Sequence, residues 1–319
     1  MTGAVLASRA VQAELLSLAF PYVGEPCAVE DRSWDHGESA VWRVAGPLGA
    51  VALKAHRMRR KFEQELTAHR EWLPLLADGT GARREGAVPD RAVAAGCVGV
   101  PGVRTPTLLA AREEHPSALV MGWEPGVVLE VAGLPHGEAA VLHQRAGAFL
   151  RALHDLPYQD ADAVPLAEAY AARLEAWSER GRGVVPPGVV ANVRAALREA
   201  LPALQRQARV RCHRDYTPRN WLAGEHGSLV VIDFEHARPD LRLADLERLW
   251  TGLWHREPAL REAFLAGYGR ELTPDEEETL RRVAALGGLS TVVWAREHGD
   301  AAFEAHGWDV LRRLGLAGD

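Results

Sequence analysis

The run Cys212-His213-Arg214-Asp215-Tyr216-Thr217-Pro218-Arg219-Asn220, followed by Val230-Val231-Ile232-Asp233-Phe234-Glu235, holds the residue types with the clearest chemistry in this chain. An aspartate and an asparagine stand five positions apart on what reads as a short loop, and a second aspartate closes an apolar, β-branched run. Phosphoryl transfer needs this layout. One carboxylate (Asp215) meets the hydroxyl that accepts the phosphoryl group, while an amide (Asn220) and a second carboxylate (Asp233) are hard oxygen ligands for Mg²⁺. An isolated H-x-D is common, and its aspartate is often only a turn cap. H-x-D-x-x-x-x-N joined to an apolar D-F step at hairpin distance is far more specific. His213 suits support of the loop better than the reaction itself. Arg214 is either a surface residue or the partner of a nearby carboxylate.

The segments His213 to Asn220 and Ile232 to Glu235 resemble the catalytic and metal-binding segments of the aminoglycoside phosphotransferase and choline kinase family. The resemblance extends to Ala244-Asp245-Leu246 and to Leu150-Arg151-Ala152-Leu153-His154, and runs from about Ser33 to Trp250. Two departures stand out: Arg214 replaces a glycine usual in small-molecule members, and Glu235 replaces the glycine of Asp-Phe-Gly. The resemblance implies an α+β, protein-kinase-like bilobal fold, with a small antiparallel sheet lobe ahead of a larger helical lobe. It implies ATP, or GTP, as donor with Mg²⁺. Asp245 would be the buried aspartate that supports the catalytic-loop backbone.

Lys54 ends Val51-Ala52-Leu53-Lys54, much like the V-A-I-K strand of kinases, whose lysine reaches the nucleotide phosphates. Glu65 on the following helix would pair with it; Glu63 is the rival, and the Phe62-x-x-Glu65 pattern favours Glu65. Gly37 and Ser39 resemble a single-glycine nucleotide loop, although one glycine in a hairpin is often only a turn. Met121, Gly122 and Glu124 resemble the lobe-connecting strand that holds the adenine edge, with Met121 facing the base and the other two offering backbone contacts.

The elements that must position these residues are legible in outline. From about Ala28 to Lys54 the alternation reads as two strands, 40–44 and 51–54, around a turn at Gly37-Glu38-Ser39. A helix follows over 62–76, then a Gly-, Pro- and Arg-rich loop over 77–105, and strands over 108–111 and 118–121. Gly122-Trp123-Glu124-Pro125-Gly126 breaks the pattern, which places a nucleotide-binding lobe at 1–122 and a catalytic, acceptor-binding lobe at 123–319. Helices are expected over 136–154, 166–180, 187–208, 243–254, 258–268, 273–286, 289–298 and 301–314, with short strands at 210–211, 221–222 and 230–232 around the loop.

The chain of 319 residues is long enough for two lobes. A 47% apolar and 25% charged composition is that of a globular protein, and a formal charge of −6 argues against a nucleic-acid partner. Cys27, Cys97 and Cys212 show neither metal nor disulfide spacing, as suits a reducing cytoplasm. No run of eighteen apolar residues exists, so no membrane association is expected. The N-terminus reads as an amphipathic helix with Leu6, Val11, Leu15 and Leu18 inward. A monomer or a homodimer fits equally.

The expected activity is ATP- and Mg²⁺-dependent O-phosphorylation of a small hydroxylated molecule. The resemblance implies an aminoglycoside-like or other antibiotic acceptor, hence resistance by modification. Alternatives are a metabolite kinase for choline, an amino alcohol or a sugar, and a nucleotide-binding pseudokinase-type module. A protein kinase fits poorly, because the spacing from Asp233 to Asp245 leaves no room for an activation segment. A polycationic acceptor would call for carboxylates beyond Leu243, with Glu257, Glu262, Glu297 and Asp300 as candidates; Arg219, Arg256 and Arg296 count against it. The acids Asp275 to Glu278 follow Thr273-Pro274 as a helix start. Trp250, Trp254, Trp294 and Trp308 read as core, one or two of them lining a cleft.

Overall fold

A computed structural model describes residues 9–33, 39–77 and 99–318. Two helices, α1 (Arg9–Ser17) and α2 (Phe20–Val23), lead into a sheet built from β1 (Ala28–Asp31), β2 (Ser39–Gly46) and β3 (Gly49–His56). Helix α3 (Arg59–Thr67) continues through a π-type turn, Ala68–Trp72, into α4 (Leu73–Ala77). The strands β4 (Val103–Arg104), β5 (Leu108–Arg112) and β6 (Ser117–Gly122) follow. The first sheet has the order β1-β2-β3-β6-β5 and is antiparallel throughout.

Alternation along β3 and β6 gives this sheet two apolar faces. Trp42, Val44, Val51, Leu53, Ala118 and Val120 pack with Leu15, Ala19 and Val23 on one side. Leu119 and Met121 meet Phe62 and Leu66 of α3 on the other. Lys54 pairs with Leu119, and Ala52 with Met121, so the lysine and Met121 share the α3 face.

The rest is mainly helical: α5 (His136–Asp155), α6 (Leu166–Arg180), α7 (Pro187–Leu204), α8 (Trp254–Arg256), α9 (Pro258–Tyr268), α10 (Pro274–His298) and α11 (Ala301–Arg313). Short strands thread between the helices: β7 (Val127–Val128), β8 (Val210–Cys212), β9 (Trp221–Ala223), β10 (Leu229–Val231) and β11 (Arg238–Asp240). Strands β4, β10, β9 and β7 form one small sheet, and β11 pairs with β8. One large core, centred on Phe149, Leu150, Tyr216, Trp221, Phe234 and Phe264, lies beneath these strands.

Several local expectations differ from the structure. The region after Cys27 holds three strands, because β1 pairs antiparallel with β2; Gly37 and Glu38 lie outside the described residues. The helices read as 273–286 and 289–298 are one, α10. Its ends are strongly fixed. Thr273 and Glu276 form a reciprocal capping box with Pro274 at the first helical position, and Gly299 closes the helix at φ 72°. Two interior glycines at about 1 kcal/mol each do not break a helix so anchored. The segment read as a helix over 243–254 is instead a 3-10 turn, Arg242–Asp245, then a π-type turn, Leu249–Leu253, before α8.

Helices α5 and α9 cross at backbone contact. A Cβ on Gly147 would stand 1.9 Å from the Phe264 carbonyl oxygen, and one on Gly267 1.8 Å from that of Gln144. Neither neighbour can yield without parting the helices. Gly147→Ala is therefore expected to destabilise the fold by about 3 kcal/mol, the upper range for overpacking, in denaturant titrations; a change below about 0.5 kcal/mol, the level of a neutral surface substitution, would contradict this crossing.

Candidate active site

The loop from Cys212 to Asn220 is held from beneath by Asp245. Its Oδ2 accepts from the His213 amide at 2.9 Å and from His154 Nε2 at 3.0 Å, while its Oδ1 accepts from the Arg214 amide at 2.5 Å. His154 Nδ1 in turn meets the Tyr268 hydroxyl at 2.8 Å. Burial would push the Asp245 carboxyl up, but these bonds, His154 first, hold it below its usual value. Arg214 sits at φ 69°, a left-handed conformation that a non-glycine residue keeps only when its surroundings fix it. Its guanidinium reaches Asp240 at 3.2 Å, beside Arg173 on the same carboxylate.

His213 completes the scaffold. Its Nε2 lies 3.0 Å from the Ile232 carbonyl, and its Nδ1 accepts from the Asp215 amide at 3.3 Å, which assigns the proton to Nε2. Asp245→Ala would leave two amides and a histidine unpaired in the interior. A loss of about 3–5 kcal/mol is expected, read as a lower Tm; an unchanged melt would contradict the scaffold role.

Asp215 is buried at the mouth of this loop. Asn220 Nδ2 donates to the Asp215 main-chain carbonyl and to its Oδ2, each at 2.8 Å. Arg219 also donates to Oδ2, at 2.9 Å, and Arg248 donates to Oδ1. Burial would raise the Asp215 carboxyl, but Arg248 and then Arg219 hold it well below the usual carboxylate range. It is an anion at any physiological pH.

Asp233 also has a left-handed backbone, φ 67°, immediately after the hairpin that places Ile232 N on Asn220 O at 3.0 Å. Lys54 Nζ lies 2.6 Å from Asp233, 2.8 Å from Glu65 and 3.1 Å from Glu235. Glu65 also meets His56 at 2.7 Å, and Glu235 meets the buried Lys61 at 2.7 Å. Burial opposes the charge of Lys54, yet Asp233, Glu65 and Glu235 hold its proton firmly. Burial would raise Glu235, but Lys54 and Lys61 bring it down to about 2.

Asp233 is the exception. Burial pushes its carboxyl up, and Glu235 and Glu65 add to the push against the pull of Lys54. An anion so disfavoured by its neighbours is one that a divalent cation would relieve. The Asn220 amide directs both of its hydrogen bonds from nitrogen to Asp215, leaving its oxygen as an open donor to a metal. These residues fit Mg²⁺. Among the described residues two other clusters of potential ligands do not fit a metal: Lys54 already neutralises Glu65 and Glu235 beside His56, and the Asp245–His154 pair is spent on the loop.

Asp215, Asp233, Glu235 and Ser39 border one cavity of about 560 Å³, within the size range of small-molecule sites. Its far wall includes Trp177, Trp294, Phe303 and Asp300, with Arg214, Arg219 and Arg248 nearer the loop. Met121 is buried against Phe62 and Leu66. The Gly122 amide donates to Thr107 O at 2.8 Å, and the buried Glu124 carboxylate pairs with Arg104 at 2.9 Å. Of the acidic candidates beyond Leu243, Asp300 reaches the cavity, whereas Glu297 pairs with Arg180 on the surface and Glu257 with His136.

Sequence reading missed Arg248, Lys61 and Glu247. Lys61 lies four residues before Glu65, on the same face of α3, which was a usable signal. Glu247 borders the cavity beside Gly287, where a Cβ would come within 2.2 Å of its carboxylate. Burial pushes the Glu247 carboxyl up, against Arg248 and Arg214. No sequence signal pointed to Trp177 or Phe303.

The fold is that of the aminoglycoside phosphotransferases, a kinase-like architecture. The GDP and kanamycin complex of APH(2")-IIIa superposes with a TM-score of 0.70 at 14% identity, covering 95% of this chain and 98% of that one. APH(4)-Ia in ternary complex with ADP and hygromycin B gives 0.66 at 14% identity, again over 95% and 98%. The GDP complex of aminoglycoside 2'-phosphotransferase-IIIa gives 0.68 at 14% identity, over 96% and 98%. No curated protein sequence matches the chain. Residues 32–286 match the model of the phosphotransferase enzyme family, and the chain belongs to that family. Among the described residues no helix is long and apolar enough to cross a membrane.

Proposed function

We propose that this phosphotransferase moves the γ-phosphoryl group of ATP, or GTP, to a hydroxyl of a small molecule, with Asp215 as the residue that receives that hydroxyl. The observation that carries the reading is the convergence of Asp215, Asp233 and Glu235 on one cavity, with Lys54 bound to Asp233 behind it. The segment 1–122 would hold the nucleotide and 123–319 the acceptor. Met121, Gly122 and Glu124 would border the base, Ser39 and Gly37 the phosphates.

Lys54, steadied by Glu65, exchanges its bond to Asp233 for nucleotide phosphate oxygens. Asn220 and Asp233 would hold Mg²⁺, which when bound would neutralise phosphate charge. Asp215 orients the acceptor hydroxyl and takes its proton late, because the transition state is loose. Asp245 and His213 fix the loop on which this depends.

The resemblance favours an aminoglycoside-like or other antibiotic acceptor, and thus resistance by modification. A metabolite kinase for choline, an amino alcohol or a sugar is the second reading, favoured by Glu235 in place of the glycine of Asp-Phe-Gly. ADP release from Mg-ATP should rise with at least one compound in a panel of aminoglycosides, nucleosides, sugars and amino alcohols. Acceptor KM that climbs with ionic strength identifies a cationic acceptor; a flat response identifies a neutral or anionic one. A purified protein that binds no Mg-nucleotide would overturn the reading.

A further inference from the structure

Both oxygens of the Asp215 carboxylate carry guanidiniums from different elements. Arg248, from the turn after Asp245, takes Oδ1. Arg219, from the catalytic loop, takes Oδ2, the oxygen shared with Asn220. Two positive charges thus face one negative charge at the cavity wall. Since Oδ2 is the Asn220 side of the carboxylate, Arg219 stands on the flank that adjoins Asn220 and Asp233. Arg248 lies against the Phe303 ring, 5.1 Å from its centre. The proton of Arg219 is held chiefly by Asp215, against burial, with Asp233 and Glu130 contributing. Its side chain is one-third exposed and has Asp215 as its ion-pair partner, so it can turn about its own stem without unpacking the core.

Oδ2 already accepts two hydrogen bonds, from Asn220 and from Arg219, which engages both of its lone pairs. It can receive the acceptor hydroxyl on the Asn220 side only when Arg219 moves away. A phosphoryl group in flight presents three charge-bearing oxygens, two of which a guanidinium fork can hold at once, whereas Arg219 holds Asp215 through one N–H on one oxygen. It is the stronger competitor for Arg219.

We propose that Arg219 is a catalytic residue that leaves Asp215 Oδ2 and donates to the oxygens of the phosphoryl group during transfer, an arginine clamp supplied by the catalytic loop itself. The assignment rests on the phosphotransfer reading above. In the step it serves, the bond from the acceptor oxygen to the γ-phosphorus forms. The bond from that phosphorus to the β–γ bridging oxygen breaks, and the nucleoside diphosphate leaves with the electron pair. The hydroxyl proton passes to the Asp215 oxygen that the arginine has vacated. Arg219 stabilises the charge in transit and returns to Asp215 when the product leaves.

The test needs no acceptor. Calorimetric titrations with Mg-ADP alone, and with Mg-ADP plus aluminium fluoride as a mimic of the phosphoryl group in flight, compare wild type, Arg219→Ala and Arg219→Lys. Fluoride should tighten binding to wild type, and Arg219→Ala should lose at least about tenfold of that tightening while keeping its affinity for Mg-ADP. Arg219→Lys, with the charge but not the fork, should fall between. Equal weakening of both complexes in Arg219→Ala would overturn the proposal, as would undiminished tightening, or a wild type that gains nothing from fluoride. Failure of wild type to bind Mg-ADP at all would instead sink the phosphotransfer reading.

Discussion

Asp215→Asn should lower turnover by about 10²–10⁴, equivalent to about 3–5 kcal/mol of barrier, while Mg-nucleotide affinity stays close to wild type. The amide keeps the shape and can still hydrogen-bond a hydroxyl, but it cannot take its proton. The fold should tolerate the change. Arg219 and Arg248 lose a charged partner, yet their side chains remain 33% and 30% exposed and can turn to water. Tm and the nucleotide Kd, measured beside the rate, separate loss of chemistry from loss of structure. Wild-type turnover in folded Asp215→Asn would remove Asp215 from the reaction.

The second large effect is expected at Asp233. Asp233→Ala deletes the carboxylate that burial, Glu235 and Glu65 disfavour as a free anion, so the folded protein itself should lose little stability. Lys54 stays paired with Glu65 and Glu235. What should vanish is the gain that Mg²⁺ gives to nucleotide binding. Titrations with ATP in the presence and absence of Mg²⁺ should coincide for Asp233→Ala and diverge for wild type. If Mg²⁺ still tightens ATP binding to the variant as it does to wild type, Asp233 is not a metal ligand.

The contrast between these two aspartates and Asp245 shows how much the sequence carried. Residue type and spacing around 213–220 and 232–235 pointed to the loop and its hairpin because the chemistry proposed for those positions can be met by few residue types. Helices with plain periodicity and firm stop signals, such as α6 and α9, were legible to the residue. The stretch after Asp245 was not. There the apolar period suggested one helix, whereas the chain makes a 3-10 turn that delivers a carboxylate to the loop amides and then a widened turn. Tertiary hydrogen bonding overrode local preference. Arg248 escaped notice for the same reason, since its direction depends on that irregular turn. The partition of carboxylates between pocket and surface was also hidden: Asp300 and Glu297 lie three residues apart, and only packing sends one to the cavity and the other to Arg180.

The most direct measurement follows the label of γ-³²P-ATP in the presence of Mg²⁺ and the acceptor panel, with mass spectrometry of every labelled species. Transfer to the hydroxyl of one compound class by wild type, absent from Asp215→Asn, with no phosphate retained on the protein, is the predicted result. Label that accumulates on the protein itself, or that reaches the same acceptor at the same rate when Asp215 is asparagine, would contradict it.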